Sequence, residues 1–128
     1  MKDITQRSDI EHLVETFYAK VFSDETIGFI FTEVAHVTPK EHFPVMSDFW
    51  ETVLFGQNRY HGNPIHKHVE LNHLVSLEKH HFDRWVALFC QTVDELFAGP
   101  KAEVAKTRAR TVAMVLQAKI NTLPTQFH

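Results

Sequence analysis

A histidine on a short helical turn is the residue of this sequence best suited to bind a metal ion. The turn begins with Asn63, which is suited to cap a helix, and Pro64, which is suited to its first position. Ile65, His68 and Val69 then share one face, at positions i, i+3 and i+4. His68 therefore points toward the interior, where its imidazole needs a partner. A metal ion is one candidate, and a hydrogen-bonding group of the core is the more common alternative.

Four longer stretches of the chain show apolar residues at helical spacing, and we find no strand pattern. Ser8 and Glu11 are typical of a capping box, and Gly56 is typical of a helix stop. Asp24–Phe31 is predicted to be a short helix that leads into a loop. The four longer helices are predicted to begin near Ser8, Thr38, Ser76 and Pro100 and to end near Phe22, Phe55, Gly99 and Thr122.

Three polar aromatic side chains interrupt or head the apolar faces of these helices. Tyr18 lies near the inner face of the first helix, so its hydroxyl needs an internal partner unless it reaches solvent or a carbonyl. His42 heads a stripe that continues through Met46 and Phe49, and it stands at the mouth of whatever that stripe lines, unless it lies on the solvated face. Trp85 belongs to the inner stripe of the third helix.

One flat, apolar ligand that carries a metal ion would use these separate residues together, and haem is such a ligand. One imidazole would bind the iron, apolar side chains would sandwich the ring, and a few donors on the other side would hold a bound gas. The 11 phenylalanines and only 4 glycines suit a helical protein that encloses a flat group. A plain aromatic core is the more common explanation of that composition. The residues concerned are Tyr18, His42, Phe49, His68 and Trp85.

Composition excludes several other classes of protein. The formal net charge of −3 argues against nucleic acid as a partner. Cys90 is the single cysteine, so no intrachain disulfide can form, and a reducing compartment is expected. The sequence shows no signal peptide and no apolar run long enough to span a membrane. We expect one domain, residues 1–128, in the cytoplasm.

The histidines do not predict a zinc site, although the chain has 10 of them. Helical zinc ligands are usually three or four residues apart, so that both face one ion. His66 and His68 are two apart, and His80 and His81 are adjacent, so neither pair shares a helix face. Cys90 lies in the middle of a predicted helix among apolar residues, where thiols are usually inert.

The chain resembles the truncated haemoglobins over about residues 10 to 120. The absence of Gly-Gly motifs, together with Tyr18, His42 and Trp85, indicates group III of that family. The motifs that carry the resemblance are, in order, Phe17-Tyr18, Ile30-Phe31, His42 with Phe49-Trp50, Tyr60-x-Gly62, His68, and His81-Phe82-x-x-Trp85.

The resemblance implies an all-α fold, a two-over-two helical sandwich that encloses haem b. His68 is then the iron ligand, on a reduced helix over Pro64–Leu71. Arg59, Lys67 and His73 are candidates for the haem propionates by position alone, and a plain solvated cation is the alternative for each. The residues that match family haem contacts are Phe31, Met46, Phe49, His68, Phe82 and Trp85.

The resemblance also implies binding of oxygen and other diatomic gases, among them nitric oxide and carbon monoxide. Tyr18 and Trp85 are expected to donate hydrogen bonds to the ligand, and His42 to act as a gate rather than as a second permanent iron ligand. Such a pocket suits oxygen and nitric oxide chemistry, or peroxide chemistry, with a reductase as electron donor. The alternative is a non-catalytic oxygen carrier or gas sensor.

Replacing His68 by alanine is expected to abolish stable haem retention, because this imidazole is the one placed on the apolar face of the turn. Haem content of the purified protein, read from the Soret absorbance per chain, measures the effect. His66→Ala and His73→Ala are the matched controls. Full haem in His68→Ala together with loss in either control would show that another histidine binds the iron.

Overall fold

Four α helices make up most of this protein in a computed structural model that describes residues 1–36, 38–56 and 76–121. A π-helical turn, Ile30–Val34, lies between the first two helices, and these ranges contain no strand. The all-α prediction is confirmed. The helices are α1 (Arg7–Phe22), α2 (Pro39–Phe55), α3 (Lys79–Leu96) and α4 (Pro100–Asn121).

The helices pack as two pairs, one on the other. Helix α1 contacts α2, α3 contacts α4, and the pairs meet where α1 contacts α3 and α2 contacts α4. This is the predicted two-over-two arrangement. The ring of Phe89 on α3 stacks on Trp50 of α2 at 4.7 Å and meets Phe17 of α1 edge-on at 5.2 Å. Helix α4 approaches the others through small buried residues, Ala102, Ala105, Ala109 and Ala113.

Both ends of α2 are as predicted. Thr38 is its N-cap and Pro39 its first residue, although the Thr38 side chain makes no capping hydrogen bond. Gly56 ends the helix with φ 70°, a left-handed conformation that glycine adopts without strain. Pro44 lies inside the helix and lacks the N–H that would bond to the carbonyl of Lys40. The first turn of α2 therefore has one hydrogen bond fewer to the rest of the helix.

The predicted starts of α1 and α3 are wrong by one to three residues. Helix α1 begins at Arg7 with Gln6 as N-cap, because the side chain of Asp9 accepts the N–H of Thr5 at 2.9 Å and holds the preceding segment on the helix. Helix α3 begins at Lys79 with Glu78, not Ser76, as N-cap. Local side-chain contacts that the pattern did not include thus decide both starts.

Asp3, near the start of the chain, caps the distant helix α4. Its two carboxylate oxygens accept the N–H groups of Lys101 and Ala102, each at 2.9 Å. Gly99, with φ 144°, allows this approach, because a Cβ there would lie 2.6 Å from Cγ of Asp3. Burial raises the pKa of Asp3, but the N–H groups of Lys101 and Ala102 lower it more, so the pKa lies below its usual value.

We expect Asp3→Ala to lower the free energy of unfolding by about 1 kcal/mol at neutral pH, since it removes a helix cap. The folded-state pKa lies below the ordinary value of 3.8, so this stabilisation is complete above that value and is lost as the pH falls through the folded pKa. Urea unfolding near neutral pH and near pH 3 measures it. Glu25→Ala, an exposed acidic control, is expected to change little; equal effects would contradict the cap.

Candidate functional site

Tyr18 is buried at the point where three parts of the chain converge. Its ring meets His42 of α2 edge-on at 4.8 Å and Phe31 of the π-helical turn at 5.8 Å. It also stacks on Phe43 at 5.7 Å. Only 5% of Tyr18 is exposed, so its hydroxyl must be satisfied within the protein.

The side chain of Trp85 on α3 lies close enough to the Tyr18 hydroxyl to act on it as a hydrogen-bond donor and to lower its pKa. The indole of tryptophan has an N–H donor and no acceptor atom, so Trp85 donates and the Tyr18 oxygen accepts. Burial raises the pKa of Tyr18 far more than this bond lowers it, so the phenol keeps its proton at neutral pH. Tyr18 therefore retains its own O–H as a donor, and a neighbouring donor polarises it.

His42 lies in the first turn of α2, partly buried against Tyr18. Its backbone N–H donates to the carbonyl of Thr38 at 2.9 Å, and its Nε2 atom is buried. The prediction that His42 heads an inward-facing stripe agrees with this position. The structure thus brings together the three side chains that were predicted for the pocket: Tyr18, His42 and Trp85.

Large apolar side chains beside these three are packed on the core but incompletely covered. Met46 and Phe49 continue the face of α2 below His42, Phe31 comes from the π-helical turn, and all three are partly exposed. Phe82 is nearly buried at the start of α3. Phe31 contacts the ring of Tyr18 directly, whereas Phe82 lines a cleft between α3 and α4.

Sequence reasoning missed Phe43, which is stacked both on Tyr18 and, at 6.4 Å, on Phe22. It fixes the plane of the Tyr18 ring from the α2 side. Its spacing of seven residues from the buried Trp50, two turns of the same helix, was the available signal.

Arg84 attaches α3 to the segment that precedes the π-helical turn. Its Nε donates to Oδ1 of Asp24 at 2.8 Å, and the other carboxylate oxygen accepts the N–H groups of Thr26 and Ile27. Burial raises the pKa of Asp24, but the bonds from Arg84 and these N–H groups lower it more, so Asp24 stays charged. Trp85, the next residue, is thereby held opposite α1. Nothing in the sequence pattern pairs Asp24 with Arg84.

Four predicted site residues lie outside the described residues: Arg59, Lys67, His68 and His73. The predicted iron ligand and the predicted propionate contacts therefore stay predictions. The described part of the chain contains the other predicted site residues.

A separate cleft of about 360 Å³ lies between α3 and α4, with Cys90, Arg110 and Met114 among its lining residues. Burial raises the pKa of the Cys90 thiol, although Arg110 opposes this. A thiol with a raised pKa is mostly protonated at neutral pH and reacts slowly. This fits the prediction of an inert cysteine.

Comparison with known proteins identifies the family. A profile of the bacterial-like globin family matches residues 2–120. The chain is 31% identical over 117 residues to a group 3 truncated hemoglobin of Campylobacter jejuni, and the match covers 89% of each protein. It also resembles the crystal structure of group III truncated hemoglobin from Campylobacter jejuni, with a TM-score of 0.81, 28% identity and 98% of both chains covered.

The fold and these matches define a globin, and the chain belongs to the bacterial-like globin family. Within the globins it is one of the group III truncated haemoglobins, as its motifs predicted. Membership of this family implies haem-based binding of small gaseous ligands such as oxygen. In the described part of the chain, no helix is both long and apolar enough to cross a membrane.

The described residues fit one face of a haem. Phe31, Met46 and Phe49 offer an apolar wall of partly exposed side chains, which a flat macrocycle would cover. Tyr18 contacts both Phe31 and His42, so polar atoms lie beside these apolar side chains. This is the combination of apolar contact and few donors that a distal haem pocket requires.

Proposed function

We propose that this chain is a single domain, residues 1–128, that binds haem b through His68 and retains oxygen or another diatomic gas for oxygen and nitric oxide chemistry. The buried hydrogen bond between Trp85 and Tyr18 carries the proposal. A pocket that merely admitted gas would need no donor pair. Phe31, Met46, Phe49, Phe82 and Trp85 are the proposed haem contacts, and Arg59, Lys67 and His73 are candidates for the propionates.

Haem, when bound, would supply an iron that holds the gas and one electron for the conversion of oxygen and nitric oxide to nitrate. A reductase would then return the oxidised iron to the ferrous state. The protein supplies the donors. The phenol of Tyr18 keeps its proton because burial raises its pKa, and it can donate to an oxygen atom that gains negative charge. Trp85 strengthens that donor by donating to its oxygen.

Hydrogen bonds to a charged acceptor contribute about 1.5–3 kcal/mol each in a dry site. Each such bond would slow the release of oxygen by roughly one to two orders of magnitude, at about 1.4 kcal/mol per tenfold. Slow release is a disadvantage in a carrier, and it is an advantage in a site that keeps oxygen until a second reactant arrives. The same donors favour a peroxide reaction, since their hydrogen bonds can polarise a leaving oxygen. This is the second candidate function.

We expect Tyr18→Phe to raise the oxygen dissociation rate at least about tenfold, since it removes the donor nearest the pocket. Trp85→Phe is expected to raise it less. Combined with Tyr18→Phe it should add little, because residues acting through one another are not additive. Stopped-flow displacement of oxygen by carbon monoxide measures these rates.

Trp50→Phe is the matched control for Trp85→Phe, because its indole stacks on Phe89 in the core. The donor proposal fails if all variants stay within about twofold of the parent rate. Haem retention is read separately, from the Soret band and its shift when carbon monoxide is added to the reduced protein. Mixing the oxygenated protein with nitric oxide, and separately with peroxide, then distinguishes the two reactions by nitrate formed or peroxide consumed.

We expect His42→Ala to raise the rate of gas association more than the rate of dissociation, because His42 stands at the mouth of the pocket. Its turn can open readily, since Pro44 removes one hydrogen bond that would tie it to the rest of α2. Laser photolysis of the carbon monoxide complex measures association. His12→Ala, an exposed histidine on α1, is the control. Unchanged association in His42→Ala would contradict the gate.

A further inference from the structure

Three metal-binding side chains meet at the start of α3, outside the pocket described above. The donor atoms of Glu78, His80 and His81 all lie within 4.8 Å of one another. Nδ1 of His80 is 3.6 Å from Oε2 of Glu78. The two imidazole rings have centroids 4.1 Å apart and are tilted at 46°. Nothing in the sequence pattern joins Glu78 to the adjacent histidines, and helix spacing alone argued against a site.

We propose that Glu78, His80 and His81 form a second metal site, which takes a divalent transition ion such as Zn²⁺. Two imidazoles and one carboxylate form a ligand set that binds Zn²⁺, Ni²⁺ and Cu²⁺ in preference to Mg²⁺ and Ca²⁺. Bonds of about 2.0–2.1 Å in tetrahedral geometry place two ligands about 3.4 Å apart, close to the separation of His80 and Glu78. The 4.8 Å span closes by small side-chain rotations.

The backbone that carries these donors is anchored on both sides. Leu77 before them and Phe82 after them are each only 8% exposed. The ring of His81 lies edge-on to Phe29 at 6.4 Å, and its Nδ1 accepts the N–H of Glu78 at 3.0 Å. The lone pair of this Nδ1 therefore already faces the N-cap. A bound ion would take the place of the Glu78 N–H, and water can then accept from that N–H because the helix end is exposed.

Two cations on the first turns of α3 each have a carboxylate partner. Lys79 pairs with Asp83 at 2.6 Å, and Arg84 pairs with Asp24 at 2.7 Å, which reduces their repulsion of an ion at this position. Glu78 and His80 are exposed, which leaves the site open to ions from solvent. Three protein ligands leave at least one position for water. A bound ion would join the N-cap to the first turn and hold the start of α3, the helix of Trp85.

Equilibrium dialysis of the haem-loaded protein against ZnCl₂ tests the proposal. The parent should bind one zinc ion more per chain than His80→Ala or Glu78→Gln, or bind it at least about tenfold more tightly. His12→Ala should bind as the parent does. Comparing variants separates this site from zinc bound at other histidines. Glu78→Gln retains a helix-capping side chain, so loss of zinc there does not reflect loss of α3.

Thermal unfolding gives a second readout. Zinc should raise the unfolding midpoint of the parent and of His12→Ala more than that of His80→Ala or Glu78→Gln, because binding to the folded state stabilises it. CaCl₂ at equal concentration should not. The proposal is overturned if the parent and both site variants bind zinc equally, or if His12→Ala loses as much as they do. An unchanged Soret band confirms that zinc has not displaced haem.

Discussion

Burial of the Tyr18 hydroxyl is the constraint on which the arrangement of this protein depends. Burying a phenol hydroxyl without a hydrogen bond costs on the order of several kcal/mol, as it does for a peptide group. The fold must therefore bring a hydrogen-bond partner to it. That partner is Trp85, from a helix that begins at Lys79, far along the chain from Tyr18. The pair of helices α1 and α2 and the pair α3 and α4 are thus joined by this polar bond, by the ion pair of Lys20 with Glu95 and by the bond from Lys101 to the carbonyl of Leu54, as well as by packing.

Aromatic packing makes that bond geometrically possible. Phe17, the residue before Tyr18, meets Trp85 edge-on at 5.7 Å and Phe89 at 5.2 Å. Trp85 and Phe89 are themselves stacked at 5.8 Å. Edge-on and stacked rings have preferred relative orientations, so the rings fix how α3 turns toward α1. The indole N–H is thereby aimed without a flexible side chain having to be ordered.

Charged pairs at the edges of the fold hold the segments that complete the pocket. Asp24 and Arg84 fix the stretch that leads into the π-helical turn, and Asp3 fixes the start of α4. Both carboxylates accept hydrogen bonds from backbone N–H groups, and that of Asp24 also accepts one from Arg84. Such carboxylates organise loops and helix ends, where regular backbone hydrogen bonds run out. The structure places them around a centre that is almost entirely apolar.

The sequence predicted the helices well where the signal is local. A helix start such as Thr38-Pro39 and a helix stop such as Gly56 act on the few residues around them. Both ends of α2 were therefore predicted correctly from the sequence. The starts of α1 and α3 were predicted wrongly, because the residue pattern does not show which nearby side chain will satisfy the free backbone groups. Helix α1 has Gln6 as its N-cap instead of the predicted box of Ser8 with Glu11, and α3 has Glu78 instead of Ser76.

The sequence by itself determined which residue types stand at the pocket: a tyrosine, a histidine and a tryptophan on three different helices, in an order that identified the globin family. Only the tertiary structure decided that Trp85 donates to Tyr18, that Phe43 stacks on it, and that Glu78 joins His80 and His81. The physical reason is that period and spacing describe one helix at a time. Distances between helices depend on how whole side chains fill the space between them.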